Sequence, residues 1–288
     1  YPERGRIFDD HGHMLAGNKT VYEVGVTLSA VKDPNTGAMA LNTILGMDYQ
    51  KTLDLINNPP TGQIYIVLDK FVPSDKAKQL QDLKAELADK YAAAGDSSLA
   101  GLEFRAHMMR SYPDKFLASN VIGFVNQENV GNYGVEQKYD SILAGVPKTV
   151  MVPLDPNMAG EMPKVPPGTD LILTIDREIQ AMVEAELKNG MDETGSAAGT
   201  IVVMDPRTGG ILAMASTPQM DLNDYTSYYS IYQSASEFNR AVSMQYEPGS
   251  IFKVLTMAAA IDTGLVAPST TYLDTGFYEI GGVNIFNW

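Results

Sequence analysis

Residues 152–169 read VPLDPNMAGEMPKVPPGT, with five prolines and two glycines. A proline ring fixes φ and has no amide hydrogen to give, so neither a helix nor a central strand can run through this stretch. It is the best candidate in the chain for a domain connection, and 288 residues suffice for two ordinary domains. The pattern changes across it. We expect an α+β chain, with a mostly extended first module over 1–160, a helical head within it over about 37–95, and a second module over 161–288.

In the first module, Tyr22, Val24, Val26 and Leu28 alternate at the period of a half-buried strand. KDPNTG at 32–37 reads as a turn, short helical stretches follow around 41–45 and 49–56, and QIYIVLDKFV reads as a strand. Ser74 is placed to cap an amphipathic helix in which Ala77, Leu80, Leu83, Leu87 and Tyr91 recur every three or four residues. A strand over 102–109 and a helix over 135–143 follow. In the second module DLILTI is a strand, Asp176 starts a helix that Gly190 should stop, and GTIVVMDPRTGGILAMAS is a hairpin.

Composition excludes several chemistries. A net charge of −14 leaves no basic stripe for a nucleic-acid backbone. With no cysteine there is no disulfide, thiolate catalysis or Cys-ligated metal, a finding that fits the cytoplasm and an extracytoplasmic bacterial protein equally. No apolar run reaches the ~18 residues of a membrane span, and no signal peptide is visible. The chain opens YPERGRIF without an initiator Met, as a processed product or an excised piece would; any anchor would precede Tyr1.

The segment with catalytic promise is EPGSIFKVLTM, 247–257. Pro248-Gly249 breaks the chain before it, Gly264 suits the position just past a helix end, and 250–263 is apolar on nearly every side, as in a central buried helix. Ser250 and Lys253 share one face of that helix. A serine hydroxyl needs a base within hydrogen-bond reach, and a desolvated lysine loses preference for its charged form. The first helical turn adds free N–H groups that favour an oxyanion. The alternative is a capping serine with a lysine that reaches solvent. About one Ser-x-x-Lys is expected by chance at this composition, and a second, SAVK at Ser29–Lys32, runs into DPNTG with no helix around it. Context, not the four-residue pattern, separates the two.

That context resembles a known family. NRAVSMQYEPGSIFKVLTMAAAID is similar to the active-site segment of the class B penicillin-binding proteins, the peptidoglycan transpeptidases. The likeness extends to LTIDREIQ, VVMDPRTGGILAMAS, RSYPDKFLASNVIGFVN, GVEQKYDSILAG and RGRIFDDHGHMLA, in the family's order, and covers most of the chain except roughly 31–100. The resemblance implies an elongated pedestal module followed by the first part of a transpeptidase domain of the penicillin-binding/serine β-lactamase type. It implies Ser250 as the acylated nucleophile and Lys253 as its base. It also implies peptidoglycan stem peptides and β-lactams as ligands, glycosyltransferase or division and elongation proteins as membrane partners, no cofactor or metal, and the outer face of the bacterial cytoplasmic membrane. The family's later Ser-x-Asn and Lys-Thr/Ser-Gly motifs do not occur after Lys253, and KTV at Lys148 precedes the nucleophile and lacks the glycine. The expectation is therefore a domain that cannot complete turnover as it stands. A β-lactam-binding serine hydrolase or sensor and a non-catalytic cell-wall scaffold remain as alternatives.

Other clusters have plainer readings. DDHGH around His11 and His13 is a solvated hairpin tip rather than a metal site. Asp176 and Glu178 are a helix cap and a first-turn acid rather than a glycosidase pair. His107 is an ordinary strand residue. The tyrosines at 225, 228, 229 and 232 suggest a sugar platform, but loop and domain packing explains them more simply.

Overall fold

The alternating N-terminal segment becomes the spine of a sheet. β1 (Ile7–Phe8) turns into β2 (Met14–Thr27), and β2 pairs antiparallel with both β3 (Tyr65–Pro73) and β4 (Leu102–Ser111). The computed structural model that displays this describes residues 2–91, 99–147 and 165–286 and divides into two units, Tyr1–Met244 and Gln245–Trp288. Lys148, most of the proline-rich segment and the boundary expected at 160 lie outside the described residues. Among the described residues no helix is long and apolar enough to cross a membrane.

Val24 and Val26 project from β2 into a core shared with Leu41, Leu80 and Leu102. The covering helices are α1 (Pro34–Leu45), α2 (Tyr49–Asn57) and α3 (Ser74–Tyr91). Ala77 and Leu80 are fully buried, as their spacing requires. Two expectations fail locally. KDPNTG is not a free turn: the Asp33 carboxylate accepts the N–H groups of Asn35 and Thr36, both at 3.1 Å, and Pro34 occupies the first helical position, so α1 starts seven residues earlier than read. Ser74 does not cap α3; its hydroxyl donates to the Thr20 carbonyl at 2.7 Å and ties the helix start to β2.

The Asp33 cap yields a test. The Thr36 hydroxyl and N–H, with the Asn35 N–H, hold the Asp33 carboxyl below its ordinary value of 3.8. A depressed folded-state pKa contributes stability above the unfolded value and loses it as pH falls through the folded one. Asp33→Ala should cost about 1 kcal/mol in urea unfolding at pH 7, and the gap from wild type should close as the pH falls below the ordinary value of 3.8 and through the depressed folded-state pKa. A gap that persists there would assign the effect to something other than the carboxylate.

The rest of the first unit is built from short elements: α4 (Ser119–Ile122), β5 (Phe124–Val125), β6 (Gly131–Asn132), α5 (Gly134–Lys138), α6 (Asp140–Leu143) and β7 (Leu171–Ile172). β7 runs parallel to β1, with Ile7 opposite Leu171. Asp176 caps α7 (Arg177–Thr194) by accepting from the Glu178 and Ile179 N–H groups, as expected. Gly190 stays inside that helix, at about 1 kcal/mol relative to Ala, and the left-handed residue that ends it is Gly195. α7 packs Val183 and Leu187 on Ala213 and Ala215 of the hairpin β8 (Thr200–Met204)–β9 (Ile211–Ser216). The buried Gln180 amide pairs with both backbone groups of Met214, at 2.8 and 3.0 Å. Beyond β9, α8 (Tyr228–Ile231) and α9 (Arg240–Ser243) frame an aromatic core of Phe124, Tyr228, Tyr232 and Phe238.

One charge cluster lies inside this unit. Glu136, fully buried, accepts from Arg4 Nε at 2.8 Å and from Arg110 Nε at 2.7 Å, while the Tyr112 hydroxyl donates to the same carboxylate at 3.2 Å. Burial and the Glu136 charge drive the Tyr112 phenol well above its ordinary value, so it stays a donor. Arg4 also reaches Asp140 at 2.8 Å. The start of the chain, β4 and α5 are thus held by one carboxylate.

Candidate active site

The second unit holds the Ser-x-x-Lys segment. After Pro248, Gly249 takes φ +54, a left-handed value that a side chain disfavours, and the chain enters a 3-10 turn over Gly249–Phe252. Phe252 and Lys253 keep right-handed helical angles, so the turn passes directly into α10 (Lys253–Asp262). Ser250 lies within the turn and Lys253 opens the helix. In a 3-10 turn residues i and i+3 eclipse, which sets the hydroxyl and the amine on the same side. Their side chains share no hydrogen bond.

Ser250 is not a cap: the residue flanking the turn is Pro248, and no side chain caps either the turn or α10. That removes the specific support for the capping alternative. The C-terminal end forms as expected. Gly264 takes φ +71, its N–H donates to the Ile261 carbonyl at 3.0 Å, and the Leu265 N–H donates to Ala260 at 3.0 Å. This is the double bond of a Schellman motif, which satisfies two otherwise orphan carbonyls. The other Ser-x-x-Lys separates cleanly: Ser29 sits in the isolated turn Leu28–Ala30, and the next residue, Val31, is extended.

The expected burial is not found. Val254 is 69% exposed and Leu255 62%, and no described residue from Gln245 onward is buried. The reason is a lack of packing surface within the unit. Among its described residues the unit offers, besides α10 and the turn before it, the hairpin β10 (Phe277–Ile280)–β11 (Val283–Phe286), which is itself exposed on both faces. An apolar periphery declares what a helix needs for burial, not that its own unit supplies it. The dry surroundings that would favour a neutral Lys253 are accordingly not built by these residues.

The remaining candidates resolve in the first unit. Asp9, Asp10 and His11 each bring a ligand-type atom within 4.8 Å of the others. Both Asp9 oxygens are occupied, by the N–H groups of His11, His13 and Arg177 and by the His13 ring, so the buried carboxylate organises the turn. Asp10 beside it raises the pKa of the exposed His11 ring. Glu178 lies in the first turn of α7. His107 sits in β4 with Nε2 2.6 Å from the Lys70 carbonyl, and Tyr228 and Tyr232 are buried.

Comparison with known proteins decides the family. The penicillin-binding protein dimerisation domain matches residues 1–166, more than half the chain, and the penicillin-binding protein transpeptidase domain matches 199–288. The chain belongs to the class B penicillin-binding proteins. Among its relatives, stage V sporulation protein D of Bacillus subtilis is 30% identical over all of this chain and 43% of its own length. Peptidoglycan D,D-transpeptidase FtsI of Escherichia coli K12 is 29% identical over 98% of this chain and 46% of its own. Penicillin-binding protein 2X of Streptococcus thermophilus superposes over all of this chain and 44% of its own, with a TM-score of 0.68 at 23% identity, which supports the fold. The chain spans under half the length of the curated relatives it matches.

Within this member of the family, sequence reasoning missed the Arg4–Glu136–Arg110 cluster. The signal was available: each residue is a charge inside a segment already singled out, RGRIF, RSYP and GVEQKY. It also missed Asn120, whose amide donates to the Pro218 carbonyl at 3.0 Å and to Phe238, and Asn239, which donates back to the Asn120 carbonyl at 3.0 Å. Buried amides among apolar residues carry no periodic signature.

Proposed function

We propose that the protein cross-links peptidoglycan by acyl transfer, with Ser250 as nucleophile and Lys253 as its base. The observation that carries this is the uninterrupted passage of the Ser250 turn into α10, which stations an amine one turn beyond an uncapping hydroxyl. The match of 199–288 to the transpeptidase domain supports it. Ser250 Oγ attacks the penultimate D-Ala carbonyl of a stem peptide while its proton passes to Lys253 Nζ. The amide C–N bond breaks, and the proton leaves with the terminal D-Ala amine. An amine from a neighbouring strand then attacks the ester and restores the serine hydroxyl. β-Lactams would acylate the same oxygen. Drying of the site and binding of the substrate carboxylate are roles that no described residue around Ser250 fills. We place the reaction on the outer face of the cytoplasmic membrane, with glycosyltransferase or division and elongation proteins as partners, and the module boundary near residue 160.

The test is peptide mapping after exposure of the whole protein to penicillin. Trypsin should release the peptide 241–253, which holds Ser243 and Ser250. The adduct is expected on Ser250. An adduct on another residue would refute the assignment, and no adduct at all would favour a non-catalytic scaffold.

A further inference from the structure

We propose that the cleft between the 126–132 loop and the 225–229 segment of the first unit binds an oligosaccharide of N-acetylated amino sugars. Two cavities, of about 290 and 330 Å³, meet there and share Asn126, Gln127 and Tyr225. Their volumes lie at the small end of ligand sites, which suits single sugar rings.

Two tyrosines supply the apolar faces. Tyr225 stacks on Phe124, with centroids 5.9 Å apart and planes 16° apart. Tyr229 meets Tyr228 edge-on at 5.3 Å and 87°, and Tyr228 is itself stacked on Tyr133 and Tyr232 at 4.9 and 5.2 Å. Both rings are braced from behind by buried aromatics, yet Tyr229 remains 87% exposed. An aromatic side chain has only two torsions to order on binding and offers a flat face to the C–H groups of a sugar. The sequence pattern DYTSYYSIY thereby divides: Tyr232 serves packing, Tyr228 packs behind and also lines the cleft, and Tyr225 and Tyr229 line it.

The polar wall selects the sugar. Asn126 uses its side-chain oxygen to accept from the Glu128 and Val130 N–H groups, which leaves its NH₂ available. Asn132 does the reverse, donating its NH₂ to the Val130 carbonyl at 2.9 Å and leaving its oxygen. One donor and one acceptor on the same wall match the carbonyl and N–H of an acetamido group. The adjoining cavity of about 290 Å³, which shares Asn126, is floored by the apolar Val125 and Leu222. Glu128 and Asp224 line these cavities beside Arg110, whose charge is paired with Glu136, a balance that suits a neutral ligand better than an anionic one.

Tetra-N-acetylchitotetraose, titrated into the 288-residue chain and followed by saturation-transfer NMR, tests this. The probe carries no peptide, so its binding is read independently of acylation at Ser250. Saturable binding is expected in wild type and in Tyr229→Phe, with a weakening of about tenfold in Tyr229→Ala. Tyr272→Ala, an exposed tyrosine of the second unit, should bind as wild type. The proposal is overturned if wild type shows no saturation, if Tyr229→Ala binds unchanged, if Tyr272→Ala weakens equally, or if a sugar-free stem peptide binds this cleft and the oligosaccharide does not.

Discussion

Ser250→Ala in the whole protein is expected to abolish covalent labelling by a fluorescent penicillin, since no other oxygen in the motif can form the ester. Lys253→Ala should behave differently. It keeps the proposed nucleophile and removes the proposed base, so labelling should persist while the acylation rate falls by about 10²–10⁴-fold, the usual worth of a positioned general base. Lys253→Arg is the sharper variant. It keeps the positive charge and the reach, but a guanidinium does not give up its proton in a protein, so it should be as slow as alanine. Stopped-flow acylation separates the cases. A fast Lys253→Arg variant would show that charge, not proton transfer, is what the position supplies. Labelling retained in Ser250→Ala would move the chemistry elsewhere.

The second large effect lies far from the serine. Glu136→Ala leaves the Arg4 and Arg110 side chains, 1% and 2% exposed, without their shared counter-charge. Removing one partner of a buried ion pair costs about 3–5 kcal/mol, because an uncompensated charge stays in low dielectric. Against a typical domain stability of about 5–15 kcal/mol this is a large share. Urea unfolding should show a midpoint well below that of wild type, and Glu136→Gln, which keeps the shape and one acceptor, should fall between them. A loss under about 1 kcal/mol for Glu136→Ala would mean that water reaches the site and screens it.

Much of the fold was legible because it rests on local periodicity. β2, β3, β4 and α3 declare themselves by alternation or by three-four spacing, and the β8–β9 hairpin by its turn chemistry. Boundaries failed where one side chain decided them: Asp33 converts a turn into a helix start, and Ser74 spends its hydroxyl on Thr20 rather than on its own helix. The spacing of Ser250 and Lys253 was readable, and so was the Gly264 stop. The environment of α10 was not, since burial depends on surfaces that the segment does not carry. The Glu136 cluster was hidden for a related reason. Its three members are separated by up to 132 residues, and only the folded topology brings them together.

The parallel pairing of β1 with β7 has a consequence for the order of events during synthesis. Ile7 finds Leu171, and the Gly168 N–H finds the Glu3 carbonyl at 2.8 Å, only once both ends of a long intervening stretch exist. At ribosomal rates of ~5–20 residues per second, β1 waits roughly 10–30 s for its second neighbour, β7, although β2 on its other side follows at once. During that interval β2, β3, β4 and their helices can assemble from nearer contacts, which form faster. β1 is thus paired early along one edge, through β2, and along the other only after most of the first unit has been made.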